Sequence, residues 1–321
     1  MIIITGAAGF IGSALVRKFN DEGVENLMLV DEFSSPAKNR NLTNKSYSSK
    51  VARDEFFDWL RKNHQHVDFV FHLGARTDTA EKDCAIFERL NVSYSKRLWQ
   101  ACADFQVPLI YASSAATYGN GQHGFDDSHE TIQVLQPLNP YGQSKHDFDL
   151  WVLQQREKPP FWAGIKLFNV YGPNEYHKGF MASTVYHFFH QVQKKGKISL
   201  FRSHHPLFAN GEQCRDFIYV KDVVEVLWRM YKQKARSGIY NLGTGRARSF
   251  NELAAAVSDA AGVHPGVDFI DTPESIRANY QYYTQAKMDK LHNGMNLPPF
   301  HSLEEGVSDY IRRYLSVSRY F

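Results

Sequence analysis

The chain has 321 residues, 43% of them hydrophobic and 14% aromatic, and carries a formal net charge of only +3. That is enough apolar material for a sizeable core, in one large domain or two smaller ones. No basic run alternates with aromatics as a nucleic-acid surface would, no apolar stretch approaches the ~18 residues of a membrane span, and the histidines and cysteines show no ligand spacing, so no metal site is predicted.

The first element is the run Met1-Ile-Ile-Ile-Thr5, followed at once by Gly6, Gly9 and Gly12. It reads as strand, tight turn and helix. Gly6 makes the turn, Gly9 lets a diphosphate approach the backbone beside Phe10 and Ile11, and Gly12 lets helix pack on strand. The phosphates face the unpaired N–H groups at the helix start. A second strand, 27–30, ends in Asp31 and Glu32, where an acid binds the adenosine ribose of a dinucleotide. Asp31 favours NAD by repelling a 2′-phosphate, whereas Lys38 or Arg53 could neutralise one, so both NAD and NADP stay open.

Strand-like runs recur at 67–74, 108–114 and 163–170, separated by helix-length segments such as 83–105 and 143–155. The alternation predicts an α/β fold: a doubly wound, parallel-sheet Rossmann domain covered on both faces. Ligands in such sheets bind beyond the carboxyl ends of the strands. Leu73-Gly74-Ala75-Arg76, Ser113-Ser114 and Asn169-Val170 all fall there.

Tyr141 and Lys145 stand four residues apart at a helix start, hence one turn apart on one face. Positive charge from Lys145 and an oxidised nicotinamide would lower the Tyr141 pKa, fitting the phenol to take an alcohol proton while hydride leaves. Ser114 could donate to the developing carbonyl oxygen. Beyond the turn Asn169-Val170-Tyr171-Gly172-Pro173 comes His177-Lys178-Gly179, which supplies a second proton-transfer group. One base suffices for a dehydrogenase; an acid or base for each face of a carbon points to an epimerase.

Later, the chain is expected to return to the sheet near 217–220 and 240–242, and 246–261 reads as a helix with Phe250 and Leu253 on one face. Gly262, Pro265 and Gly266 mark a turn. The predicted division is a dinucleotide-binding domain of residues 1–171 plus 216–245 and a smaller, discontinuous α/β substrate domain of 172–215 plus 246–321. Cys84, Cys102 and Cys214 are odd in number and widely spaced, which points to reduced thiols. With Met1 opening the first strand directly and no signal peptide, a cytoplasmic enzyme is expected.

The glycine turn, Ser114 ahead of Tyr118-Gly119, Tyr141-x-x-x-Lys145 and Asn169-Val170-Tyr171-Gly172-Pro173 resemble the extended short-chain dehydrogenase/reductases. Arg215 to Asp222 and Asn241 to Gly245 extend the likeness to about residue 245. Within that superfamily, Ala112 to Gly119, Pro137 to Tyr141 and His177-Lys178-Gly179-x-Met181-Ala182-Ser183 resemble the ADP-glycero-manno-heptose 6-epimerases, the last stretch most specifically. The resemblance implies inversion at carbon 6 of an ADP-heptose with tightly held NADP, on the way to the lipopolysaccharide inner core. It implies acid/base roles for Tyr141 and Lys178, and a homo-oligomer, a pentamer. It places Phe10, Ile11, Asp31, Glu32, Lys38, Arg53, Leu73, Gly74, Ala75, Arg76, Thr77, Asn91, Lys145, Val170 and Lys178 around the dinucleotide. Around the ADP-sugar it places Ser114, Asn169, Phe180, His187, Phe201, Arg202, Ser203, His204, Arg215 and Tyr280.

Arg215 also has a rationale of its own, since a guanidinium binds a diphosphate with two parallel hydrogen bonds; the alternative is an ion pair with Asp216 or Asp222. Two features depart from the family pattern. The stretch 201–215 is longer than in some members, and Phe180 stands where a small or polar residue is common. A UDP-hexose 4-epimerase would use Ser114, Tyr141 and Lys145 without needing Lys178. A 4,6-dehydratase needs an acid and a base where Ala115 and Ala116 stand. A non-catalytic NADP-binding sensor or scaffold would typically have lost the tyrosine or a lysine.

Overall fold

The Ile-, Val-, Leu- and Phe-rich runs fold as strands, as residues that fit a pleated buried surface do. The computed structural model describes residues 1–79, 81, 83–233, 236–277 and 280–321. Among them the strands are, in chain order, β1 (Ile2–Thr5), β2 (Leu27–Asp31), β3 (Ser49–Ala52), β4 (Phe69–His72), β5 (Leu109–Ser114), β6 (Trp162–Leu167), β7 (Asn169–Tyr171), β8 (Lys197–Phe201), β9 (Cys214–Tyr219), β10 (Gly238–Leu242), β11 (Ala247–Ser249) and β12 (Gly266–Ile270). Seven of these form one wholly parallel sheet in the order β10-β6-β5-β4-β1-β2-β3. β1, β2, β4 and β10 are buried along their whole length, as strands covered on both faces must be, while edge strand β3 alternates.

The covering helices are held by aromatic contacts. Phe19, on the helix Phe10–Asp21, sits edge-on to Phe71 of β4 at 5.5 Å and to Trp228 of the helix Val220–Gln233 at 5.2 Å. Trp99, on the helix Tyr94–Asp104, meets Trp151 of the helix Pro140–Gln154 and Trp162 of β6 in the same manner. Each such pair contributes about 0.5–1.5 kcal/mol beyond its area burial.

Four segments depart from the sequence reading. The helix expected from 143 begins at Pro140, because the Asn139 side chain accepts from Gly142 N at 2.8 Å and Pro140 pre-sets the first turn. The 83–105 helix is broken into Cys84–Phe87, a π-helical Glu88–Ser93 and Tyr94–Asp104. The run 163–170 splits at Phe168, β6 staying in the large sheet while β7 enters a small one. Finally, 246–261 begins as β11 and turns helical only at Phe250, where Ser249 and Glu252 form a reciprocal capping box.

Of the two expected returns to the large sheet, only β10 makes one. β9 instead lies between β11 and β7 in a three-stranded sheet, antiparallel to β11 and parallel to β7, and β8 pairs with β12. No helix among the described residues is long and apolar enough to cross a membrane.

Candidate active site

The turn after β1 is as tight as backbone allows. A Cβ on Gly12 would lie 2.1 Å from Gly6 O, so only glycine lets the helix Phe10–Asp21 seat on the turn. Gly6 has φ +68° and its own Cβ would meet Gly74 at 2.7 Å, which brings the ends of β1 and β4 into contact. Gly9 caps the helix with no side-chain hydrogen bond, leaving first-turn N–H groups for an anion. A groove that no Cβ could share, floored by free N–H groups, fits a dinucleotide diphosphate.

On the ribose side Asp31 is buried, and both its oxygens are engaged. It accepts from Ala8 N at 2.9 Å, Glu32 N at 2.7 Å and Lys38 Nζ at 2.5 Å. Glu32 accepts from Ser34 N at 3.0 Å, and Arg53 pairs with the exposed Asp54. Asn41, which sequence reasoning missed, donates to Ala8 O at 2.9 Å and touches His177 Nδ1 at 3.1 Å.

The segment Leu73 to Thr77 leaves β4 under close control. Asn91, aimed by the π-helical turn, accepts from Arg76 N at 2.8 Å and donates to Arg76 O at 2.9 Å and Ser144 Oγ at 2.9 Å. Both its amide protons and its carbonyl oxygen are bonded to protein, so it shapes this segment from behind. His72 lies beneath. Ser95 Oγ donates to Asn91 O, so His72 Nε2 donates to Ser95 at 2.9 Å and its Nδ1 accepts from Thr5 Oγ1 at 2.7 Å. Burial, reinforced by the Lys145 charge, holds this imidazole neutral with its pKa down to about 3.

Ser114 ends β5 and caps the turn Ala115–Tyr118, accepting from Ala116 N at 3.1 Å. The helix Pro140–Gln154 abuts that turn. A Cβ on Gly142 would come within 2.8 Å of Ala116 O, and this close approach sets the Tyr141 phenol beside the Ser114 hydroxyl. Burial pushes the phenol's pKa up while the Ser114 bond pulls it down, so the protein's own groups do not produce the lowering expected from sequence. Lys145 donates to Ala112 O at 2.8 Å, and burial depresses its pKa to about 8, opposed by Asp149 one turn further on. Asp149 also binds Tyr111, Ser113 and Lys166, and Lys166 reaches Thr117 at 2.7 Å.

Lys178 lies against the glycine turn that follows β1. Its Nζ lies 5.4 Å from the centre of the buried Phe10 ring, and burial lowers its pKa against the raising influence of Glu175. The loop is pinned twice more, through His177 to Asn41 and through Asn174 Nδ2 to Ser13 Oγ at 3.0 Å.

The residues assigned to the ADP-sugar are not all gathered. Arg215 is buried against the Tyr280 and Phe250 rings at 5.3 and 5.8 Å, and Phe201 packs on Tyr280 at 6.2 Å. The Arg215 guanidinium donates to Cys214 O at 2.9 Å and to Gln281 O, whereas Asp216 is held by Thr244, Gly245 and Ala286, and Asp222 by His301. Arg215 therefore makes no ion pair with either acid. Arg202 turns out to Asp271 at 3.3 Å, Ser203 Oγ is spent on His205 O and His204 N on the Tyr282 hydroxyl. His187 Nε2 lies 3.1 Å from Phe180 O, and the Phe180 side chain is 69% exposed. Asn169 and Val170 open β7, paired with Phe217 and Ile218.

Asp149 and Lys166 were missed as well, though both left a trace. A lysine inside the apolar run 163–170 needs a buried partner, and Asp149 follows Lys145 at the i+4 spacing.

Comparison with known proteins agrees with this geometry. Residues 2–243 match the NAD dependent epimerase/dehydratase family. The chain is 44% identical to the ADP-L-glycero-D-manno-heptose-6-epimerase of Fusobacterium nucleatum subsp. nucleatum, with 98% of each chain covered, and 45% identical to that of Nitratidesulfovibrio vulgaris, with 99% of each covered. It superposes on the crystal structure of Helicobacter pylori ADP-L-glycero-D-manno-heptose-6-epimerase with a TM-score of 0.81 at 30% identity, covering 97% of this chain and 95% of that one. With Thermus thermophilus UDP-glucose 4-epimerase in complex with NAD the TM-score is 0.77 at 25% identity, 97% of each chain being covered. A full-length match at this identity, on a chain that carries the glycine turn, the Ser114–Tyr141 pair and the Lys178 loop described above, makes it a member of the NAD-dependent epimerase/dehydratase family and, within it, of the ADP-L-glycero-D-manno-heptose-6-epimerase family.

Proposed function

We propose that the chain interconverts ADP-D-glycero-β-D-manno-heptose and ADP-L-glycero-β-D-manno-heptose by inverting carbon 6 through a transient 6-ketone. The observation that carries this reading is that two proton-transfer groups sit at the carboxyl ends of strands of one parallel sheet: the Tyr141 phenol beside Ser114 at the end of β5, and the Lys178 amine beside Phe10 at the glycine turn after β1. The named relatives support it.

When bound, the nicotinamide accepts a hydride and returns it. The chain's residues handle protons and orientation. Tyr141 takes the proton of the 6-hydroxyl at its phenolic oxygen, with Ser114 donating to the oxygen that becomes a carbonyl, and the positive charge of an oxidised nicotinamide would add to that of Lys145 in favouring phenolate. Carbon 6 is exocyclic, so rotation about the bond from carbon 5 presents its other face without turning the sugar over. Lys178 serves the oxygen in that orientation, its lowered pKa letting it trade a proton. Arg215, without a carboxylate partner among the described residues, binds the diphosphate.

For the cofactor we assign NADP. Asp31 is compensated by Lys38 and accepts from two backbone N–H groups besides, which weakens its repulsion of a 2′-phosphate and leaves Arg53, paired only with the exposed Asp54, to attract one. The family resemblance adds a cytoplasmic pentamer feeding lipopolysaccharide inner-core synthesis, with residues 1–171 and 216–245 holding the dinucleotide and 172–215 and 246–321 the nucleotide sugar.

Incubating the purified protein with ADP-D-glycero-D-manno-heptose without added cofactor, and following carbon 6 by proton NMR, tests this. Approach to a mixture of both epimers is expected. No change even with added NADP or NAD overturns the reading, and 4-epimerisation of UDP-glucose in a parallel sample would replace it with the UDP-hexose alternative. Chromatography of the cofactor released on denaturation should yield NADP; NAD alone would overturn that assignment.

A further inference from the structure

The loop that carries Lys178 begins at Gly172 and ends at Ser183, where the helix Thr184–Lys195 starts. A loop of this length presents a side chain accurately only if its ends are tied together. One residue ties them. Glu175 is wholly buried, and its carboxylate accepts from Gly172 N at 3.3 Å, Ser183 Oγ at 2.6 Å and Ser183 N at 2.5 Å. Its own carbonyl accepts from Lys178 N at 2.9 Å, closing the turn that points Lys178 toward Phe10.

A neutral residue could cap Ser183 without the cost of a buried charge, since isolating a carboxylate from water is expensive unless a cation or several donors compensate. Glu175 has three donors and faces a cation, Lys178, with the Tyr176, Tyr186 and Tyr310 phenols as the other titratable groups around it. Lys178 in turn faces Glu175 and His177, and beyond His177 lie Lys38 and Asp31. We propose that Glu175 is a positioning residue for Lys178: its carboxylate clasps the two ends of the 172–183 loop and offsets the charge of the lysine at its tip. Burial lowers the Lys178 pKa and raises that of Glu175, and each ion pulls the other back toward its ordinary range. Glu175 therefore sets how far Lys178 is lowered, and so the pH range in which Lys178 both gives and takes a proton.

The inference rests on the epimerase reading for its purpose, but its test does not. The Lys178 resonance is followed against pH in protein labelled with 13C at lysine Cε and assigned by its loss in Lys178→Met. Glu175→Gln keeps the shape and removes the charge, and the Lys178 titration is expected to fall by about one pH unit, the lower end of what losing a neighbouring opposite charge does. An unmoved titration in a folded Glu175→Gln overturns the proposal, whatever the activity. If Glu175→Gln does not fold, Glu175→Asp, which draws the charge back by one methylene, should fold and show a smaller fall in the same direction; no fall overturns it. In the epimerase assay kcat should drop at least about tenfold with KM little changed, and the pH optimum should follow the titration. A wild-type sample that fails to epimerise sinks the activity assignment and leaves the titration result standing on its own.

Discussion

Lys166 donates to Asp149 at 2.7 Å with neither side chain exposed to water. Around this pair the Tyr111 and Ser113 hydroxyls also turn to Asp149, and Lys166 reaches Thr117, whose hydroxyl donates to Ser114 O at 2.8 Å. A buried ion pair thus underlies both the Ser114 turn and the Lys145 turn of the helix Pro140–Gln154. Lys166→Met would leave an uncompensated carboxylate in the interior and should cost about 3–5 kcal/mol in urea unfolding. A loss under about 1 kcal/mol would mean that the hydroxyls alone satisfy Asp149.

Tyr141→Phe removes the proton acceptor and leaves the glycine turn untouched. Turnover should fall by about two to four orders of magnitude, the usual worth of a positioned acid or base, while the protein purifies with its dinucleotide. Near-normal turnover would show that the phenol is not the base.

Lys178→Met should abolish epimerisation while hydride transfer from one of the two epimers survives in part. Single-turnover nicotinamide absorbance with each pure epimer separates the cases. Equal loss for both would reduce Lys178 to a phosphate-binding cation.

His72 gives a stability prediction with a definite sign. Its folded-state pKa of about 3 lies below the ordinary 6.5, so on acidification the unfolded chain takes the proton first. The stability that neutral His72 contributes is intact above 6.5 and drains away as pH falls toward 3, with a limiting slope of about 1.4 kcal/mol per pH unit. In His72→Gln the decline of unfolding free energy between neutral pH and about pH 4 should be shallower by much of that slope. Identical slopes would assign the acid sensitivity to other groups.

Gly142→Ala would press a Cβ to 2.8 Å from Ala116 O. The helix must back away from the Ser114 turn, and kcat should fall at least about tenfold from the misplaced phenol. Full activity would mean that the turn yields at no cost to the Ser114–Tyr141 bond.

Strand runs, the glycine turn and the Tyr141/Lys145 spacing were legible in the sequence because each is a local signal: apolar continuity, backbone permissiveness, helical period. What stayed hidden depends on tertiary partners. Nothing around Asn91 announces that its amide reaches Arg76 and Ser144, and nothing in 88–93 predicts a π-helical turn. Phe168 looks like one more strand residue until two sheets are seen to meet there. Burial, which raises the Tyr141 phenol in the protein alone, is invisible in a sequence, whereas the expected lowering drew on Lys145 together with a bound oxidised nicotinamide. The 201–204 stretch was assigned to the substrate as a block, yet Phe201 faces Tyr280 while Arg202 faces outward, the alternation of a strand end that a positional transfer cannot register.

The Asn91 side chain has a mechanical corollary. One amide grips Arg76 on the segment leaving β4 and Ser144 on the helix Pro140–Gln154, and the Ser144 hydroxyl passes on to Tyr141 O at 2.7 Å. Since an amide has a fixed span, it works as a caliper between the segment leaving β4 and the first turn of that helix. A shift of either is passed to the other through that single side chain.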